Sequence, residues 1–269
     1  MGRAAARPVQ AAVRSAWARR GRPLGERELA ADCVVVAPHP DDETLGCGAT
    51  IARKVRAGAR VRVVVATDGR ASHEVSGPEV ERLVARRRDE AVRACAALGV
   101  AERDLVFLDL VDGQLARSTA ALRDGLGDVL RAEPTEQLLI TPPCDGHPDH
   151  DVVAGVVAGL LPALPGPAPR VLQYPVWLWQ HWPFTRPRAG AGPLARLTRE
   201  PLRRVLEVRP LTVPTAELLE RKLAALACYE SQVGDGADAS LPGHVVRPFL
   251  GRHEFLLPDG ALDHLGVAR

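Results

Sequence analysis

Nowhere in the 269 residues does an apolar stretch reach the roughly 20 that a spanning helix needs. The longest, Val152 to Leu161, is cut by Pro162, so no transmembrane segment is expected. Cysteine is sparse: residues 33, 47, 95, 144 and 228 are odd in number, form no CxxC pair and follow no signal-like apolar segment. That pattern argues against a disulfide framework or a zinc ribbon, and predicts free thiols in a reducing, cytoplasmic setting. Asparagine is absent, which with the abundance of Ala, Arg and Val reads as coding bias without functional content. Negative charge is missing from the leader: Arg3, Arg7, Arg14, Arg19, Arg20 and Arg22 precede the first acid, Glu26. An arm of this kind can touch a phosphate or an anionic lipid, but residues 1–28 are expected to form a frayed, solvated basic arm. The net charge of the whole chain is only +2, and no nucleic-acid partner is expected.

Short runs of Val, Ile and Leu alternate with helix-like stretches, which is the pattern of βα units around a parallel sheet. Strands are expected near 33–37, 61–66, 105–110, 137–141, 171–176 and 205–210, and helices at about 44–57, 78–98, 117–131, 148–161 and 215–230. The expected fold is a single α/β domain over 29–269, with a Rossmann-like, open, mostly parallel sheet and helices on both faces. Pro and Gly are dense at 162–169 and 183–193, which indicates loops. The second, extended to about residue 200, reads as a lid or rim.

The chemistry concentrates at two strand ends. Pro38-His39-Pro40-Asp41-Asp42-Glu43 follows the apolar run Cys33 to Ala37. Prolines at 38 and 40 cannot donate to a sheet ladder and disfavour the α region in the residue before each, so the strand ends near Ala37 and His39 projects beyond it. That edge of an α/β sheet is where ligands bind. Residues three apart on a tight turn can aim at one point, which makes His39 and Asp42 a natural ligand pair. Adjacent carboxylates repel, so Asp41 and Asp42 beside an imidazole make most sense around a cation. The positive end of the following helix adds to the same place.

The second strand end is Gln137 to Thr141, running into Pro142-Pro143-Cys144-Asp145-Gly146-His147-Pro148-Asp149-His150. Pro148 suits the first position of a helix, and Asp149 and Asp151 suit its first turn. His147 and His150 then share a face at the same sheet edge as His39. A hydrolytic zinc site takes three protein ligands and keeps a fourth position for water. His39, Asp42 and one histidine of the second motif meet that count, and spacing alone leaves His147 and His150 as alternatives.

By these residues the chain resembles the LmbE-like, or PIG-L, family of metal-dependent N-deacetylases, whose signature is an AHPDDE-type motif followed by HPDH. Ala66-Thr67-Asp68-Gly69, Arg87 with Glu90, Ala97-Leu98-Gly99-Val100 and Asp112-Gly113 extend the likeness, which covers roughly 33–160 well. It runs more loosely through Lys222 and Ser231-Gln232. The resemblance implies that His39, Asp42 and His150 hold Zn²⁺, that Asp41 is the general base, and that His147 stabilises the oxyanion and protonates the departing amine. It further implies that Asp149 orients His147 and that Arg87 and Asp112 contact substrate. Fe²⁺ is an alternative occupant, since two histidines and an aspartate suit both metals. The expected reaction is removal of an acetyl or other acyl group from the nitrogen of an N-acetylated amino sugar or a glycosylated small molecule. Hydrolysis of a thiol-conjugate or acyl-chain amide is the nearer alternative.

Half of the ten aromatic residues fall between 174 and 184, where Trp177 and Trp179 either face substrate or pack the core. A different class of function, a non-catalytic nucleotide-binding module, is suggested by Gly46-Cys47-Gly48. The full GxGxxG is absent because residue 51 is Ile, and such a module has no use for two HPD motifs.

Overall fold

The computed structural model describes residues 3–143, 145–181, 208–234 and 239–261. Eight strands form one sheet in the order β1-β7-β8-β6-β5-β2-β3-β4. They are β1 (Arg22–Pro23), β2 (Cys33–Ala37), β3 (Val61–Thr67), β4 (Leu105–Leu110), β5 (Gln137–Ile140), β6 (Arg170–Gln173), β7 (Leu211–Pro214) and β8 (His253–Pro258). The run β6-β5-β2-β3-β4 is parallel throughout, whereas β8 is antiparallel to both β6 and β7. The chain winds from β2 outward through β3 and β4, then returns to place β5 and β6 on the other side of β2. The order therefore reverses between β2 and β5, which opens a crevice at their carboxyl ends.

Side chains alternate between two cores. Val35, Val63, Val65, Leu139 and Leu172 pack against α3 (Asp42–Arg56), α4 (Pro78–Leu98) and α8 (Leu219–Cys228). Val34, Val36, Val64, Leu138 and Ile140 face α5 (Thr119–Ala132) and α6 (Pro148–Leu160). Both faces of the central strands are covered, which is why β2 reads as a continuous apolar run and β3 and β5 as nearly continuous ones, broken at Arg62 and opened by Gln137. Each fully buried Val, Leu or Ile side chain contributes about 1.5–3 kcal/mol of transfer free energy.

The strand expected at 205–210 is displaced: residues 208–210 are not strand, 205–207 lie outside the described residues, and the strand occupies Leu211–Pro214. The expectation for 171–176 is shortened, because β6 stops at Gln173, ahead of Pro175. The arm expected to be frayed is instead the helix α1 (Arg3–Arg20), which buries Val13 and Trp17 and leads into β1 beside β7. Val13 and Trp17, four apart, lie on one helical face. The ring of Trp17 meets Trp179 and Phe255 edge-on at centroid distances of 5.3 and 5.6 Å. Among the described residues no helix is long and apolar enough to cross a membrane. The lid expected at 183–200 falls outside the described residues.

Helix α3, which opens with Asp42, is kinked at Cys47 (φ −143°, ψ 24°). The helical groups freed by the kink are satisfied from far along the chain. Lys222 Nζ donates to Leu45 O at 2.8 Å and to Glu254 Oε1 at 2.6 Å. Glu254 in turn accepts from the backbone N–H groups of Ala49 and Thr50 at 2.8 and 2.6 Å. A buried ion pair thus replaces the missing ladder contacts.

Candidate metal centre at the sheet switch point

Beyond β2, the turn carrying His39 is tied to the neighbouring strand, since Thr67 donates to Pro38 O from both its backbone N (3.0 Å) and its Oγ1 (2.9 Å). The His39 N–H donates to Asp42 Oδ2 at 2.9 Å, which folds the carboxylate back over the turn. Asp41, between them, has φ 126°, a conformation that an L side chain rarely adopts. Backbone held this way costs about 1–3 kcal/mol and persists only when its surroundings over-determine it. Here they do. Glu43 Oε2 accepts the Asp41 N–H at 3.2 Å, while Tyr229 donates to Glu43 Oε1 at 2.6 Å. Arg87 donates to Gly69 O (2.9 Å), Pro40 O (2.5 Å) and Asp41 Oδ2 (3.0 Å).

Beyond β5, Gly146 takes φ 105° and His147 caps α6, its Nδ1 accepting the Asp149 N–H at 3.2 Å. The two strand ends meet. Ring centroids lie 4.5 Å apart for His39 and His147, 5.4 Å for His39 and His150, and 5.2 Å for His147 and His150. Asp42 Oδ2 sits 3.1 Å from His39 Nδ1 and 3.2 Å from His150 Nε2. The remaining ring nitrogens are both held by carboxylates: His39 Nε2 by Asp112 at 3.1 Å and Asp149 at 3.4 Å, and His150 Nδ1 by Asp145 at 2.8 Å. A carboxylate on one ring nitrogen places the proton there and leaves the lone pair on the other, the arrangement of metal-ligating histidines. His150 Nε2 is buried beside Asp42 without a hydrogen-bond partner, so a cation there can take the place of its proton and receive its lone pair. Two imidazole nitrogens and one carboxylate oxygen form a donor set that suits a hydrolytic metal.

The electrostatics have the same character. Burial opposes charge on His150, but Asp42 and Asp145 outweigh it and push the imidazole up to about 9. His39 is likewise raised well above its usual value, against burial, by Asp112, Asp149 and Asp42. Asp42, despite burial, is lowered by His150 and His39. Asp41 is pushed up to about 8 by burial, with Arg87 pulling the other way and Asp42 adding to the rise. His147 falls to about 4 through burial and the nearby His39 and His150. Asp42, Asp112, Asp145 and Asp149 around two imidazoles draw positive charge into the crevice, as protons or as a metal ion.

Several residues stand differently from their sequence-based expectation. The Asp149 carboxylate does not orient His147: it accepts from the N–H groups of Gly113 (2.8 Å) and Leu115 (3.2 Å) and turns to His39, so His147 is held by the Asp149 backbone instead. Arg87, expected against substrate, is 2% exposed and lies beneath Asp41. Asp112 is buried and engaged with His39 and the Ala71 N–H. Trp179 belongs to the core beside Trp17 and Phe255, whereas Trp177 is half-buried with its ring stacked on His147 at 6.4 Å. Trp182, Phe184 and Cys144 lie outside the described residues.

Gly46-Cys47-Gly48 is no phosphate cradle. A Cβ on Gly46 would lie 2.2 Å from the Tyr174 ring, so this glycine serves close packing inside a buried helix. Asp145 and the Glu43–Tyr229 pair were not legible as contributors. Asp145 and Glu43 lie within the two motifs, which was the only signal for them, and nothing in the sequence marks Tyr229.

The model of the GlcNAc-PI de-N-acetylase family, PIG-L, matches residues 34–160. The 1D-myo-inositol 2-acetamido-2-deoxy-alpha-D-glucopyranoside deacetylase of Nakamurella multipartita is 32% identical over 264 residues, covering 81% of this chain and 83% of the relative. In fold the chain is similar to N,N'-diacetylchitobiose deacetylase from Pyrococcus horikoshii (TM-score 0.61, 21% identity, 87% of this chain and 85% of that one). It is also similar to GalB, a 4-carboxy-2-hydroxymuconate hydratase from Pseudomonas putida (TM-score 0.53, 18% identity, 81% and 82%). The fold thus carries more than one reaction, and the site must decide among them. With both motifs brought to one crevice and a relative matched over most of its length, this chain belongs to the PIG-L family of metal-dependent N-deacetylases.

Proposed function

We propose that the chain is a cytoplasmic zinc-dependent hydrolase that removes the acetyl group from the nitrogen of an amino sugar within a small glycoside. The observation that carries this reading is the Asp42 carboxylate, 3.1 and 3.2 Å from two imidazole nitrogens whose partner nitrogens are each held by another carboxylate. His39 Nδ1, Asp42 and His150 Nε2 are the ligands, with Fe²⁺ as the alternative metal. The metal supplies acidified water at neutral pH and Lewis acidity toward the acyl oxygen.

The chain's own groups do the rest. Asp41 takes the proton of the attacking water, its carboxylate aimed by Arg87 and by the strained backbone beneath it. His147 accepts the Asp149 N–H at Nδ1, so its proton resides on Nε2. There it donates to the oxygen of the tetrahedral carbon, a contact typically worth about 3–4 kcal/mol. As the C–N bond breaks, His147 Nε2 passes that proton to the leaving nitrogen and takes up in its place the proton that Asp41 drew from the water, so both groups return to their starting state and a carboxylic acid and a free amine leave. Trp177, stacked on His147, forms an aromatic wall suited to a sugar face. Deacetylation of an inositol 2-acetamido-2-deoxy-glucopyranoside and of N,N'-diacetylchitobiose by the relatives, as their names state, supports an N-acetylglucosamine-containing substrate here.

Mass spectrometry of the purified chain with a panel of N-acetylated glycosides, with and without a chelator, tests the reading. Chelator-sensitive loss of one acetyl group from a panel member is the expected result. Preference for a thiol-conjugate or acyl-chain amide would make it an amidase instead. Inactivity on every amide from a metal-loaded chain would refute it.

A further inference from the structure

Asp145 is wholly buried, yet it is neither one of the proposed metal ligands nor a neighbour of Asp41. Its Oδ2 accepts from His150 Nδ1 at 2.8 Å and from the Trp177 N–H at 3.0 Å. Its Oδ1 accepts from the N–H groups of Val176 at 3.1 Å and Leu178 at 2.9 Å. A carboxylate offers about four lone-pair directions, so these donors saturate it. The backbone donors belong to the turn that follows β6. That turn carries Trp177, whose ring lies within 24° of parallel to His147. One buried group therefore grips both a histidine of the metal cluster and the segment that lays an aromatic wall beside the reacting groups.

We propose that Asp145 is a positioning residue that couples metal occupancy at His150 to the placement of Trp177 over His147. The inference rests on the metal reading given under Proposed function. A cation on Nε2 makes the opposite N–H a stronger donor, which tightens the charge-assisted bond to Asp145 and draws Oδ2 toward the imidazole. The same oxygen serves the Trp177 N–H, so the turn follows. Coupling of this kind is reciprocal: whatever stacks on Trp177 tightens the metal by the same factor. Asn at 145 cannot substitute, because its amide group would set a donor against the donors that now converge there.

The test is zinc titration of the metal-stripped full chain, followed by tryptophan fluorescence in wild type, Trp177→Phe and Asp145→Asn. Zinc affinity is read separately by competition with a chromophoric chelator. Wild type should show a zinc-dependent fluorescence change that Trp177→Phe removes. Asp145→Asn should bind zinc about 10–100-fold more weakly and lack the change even at saturating zinc, a loss that a merely structural role would not produce. A full change in saturated Asp145→Asn, or a wild-type change that survives Trp177→Phe, overturns the coupling. Amide exchange at 176–178 in wild type gives an answer that needs no variant: protection that rises with zinc supports the coupling, and protection that ignores zinc overturns it. A flat chelator competition with wild type would instead fail the metal reading itself.

Discussion

His150 Nε2 lies 3.2 Å from Asp42 Oδ2, buried and without a hydrogen-bond partner, although the two residues belong to motifs at opposite sides of a topological crossover. The sheet order explains the meeting. Adjacent parallel strands β2 and β5 deliver both motifs to one edge, and Pro38, Pro40 and Pro148 end the strands or start the helix at the positions required.

Asp41→Asn removes a proton acceptor without removing a ligand. The variant should keep its metal and lose about 10²–10⁴-fold in turnover, with metal content by elemental analysis near wild type. Unchanged turnover would exclude Asp41 as the base.

Trp177 and Trp179 should separate cleanly. Trp179→Ala empties a core position beside Trp17 and Phe255 and should cost about 3–5 kcal/mol of stability in denaturant titrations. Trp177→Ala should leave stability within about 1 kcal/mol and raise KM. The opposite assignment of effects would place substrate against Trp179.

The metal-free chain should lose stability as pH rises from about 6.5 to about 9. With His150 raised to about 9 and His39 also raised, the folded chain retains protons that unfolded histidines release near 6.5. That stabilisation is complete below the unfolded value and gone above the folded one. Asp41, raised to about 8, has the same sign, because the fold favours its protonated form. His147, lowered to about 4, acts in the opposite sense, but only between that value and about 6.5. Zinc in place of those protons should flatten the curve, so the gap in Tm between loaded and stripped chain should widen with pH. A pH-independent gap in thermal scans would contradict the assigned ligands.

Lys222→Met leaves Glu254 as an uncompensated buried charge and the Leu45 carbonyl unmet. A cost of about 3–5 kcal/mol is expected, measured by urea titration. A cost below about 1 kcal/mol would mean that the ion pair does not hold the kink of α3.

The parallel core and the meeting of the two His/Asp motifs were legible because their signals are local: apolar runs that stop at proline, with His and Asp at fixed spacing. The placing of β7 and β8 was not, since β8 is antiparallel and gains its place by pairing with strands distant in sequence. The Lys222–Glu254 pair was hidden for a related reason, as nothing near either residue announces a kink at Cys47. Arg87 reads as a substrate cation until its depth is known, because the sequence shows charge but not burial. The basic character of residues 1–28 masked the apolar spacing of Val13 and Trp17, which was the available sign that this segment packs.

The most direct measurement is the zinc stoichiometry and affinity of His150→Ala beside wild type, by chelator competition and elemental analysis. The account predicts one zinc per wild-type chain and loss of tight binding in the variant, with far-UV circular dichroism preserved. Wild-type affinity in a folded His150→Ala chain would contradict it.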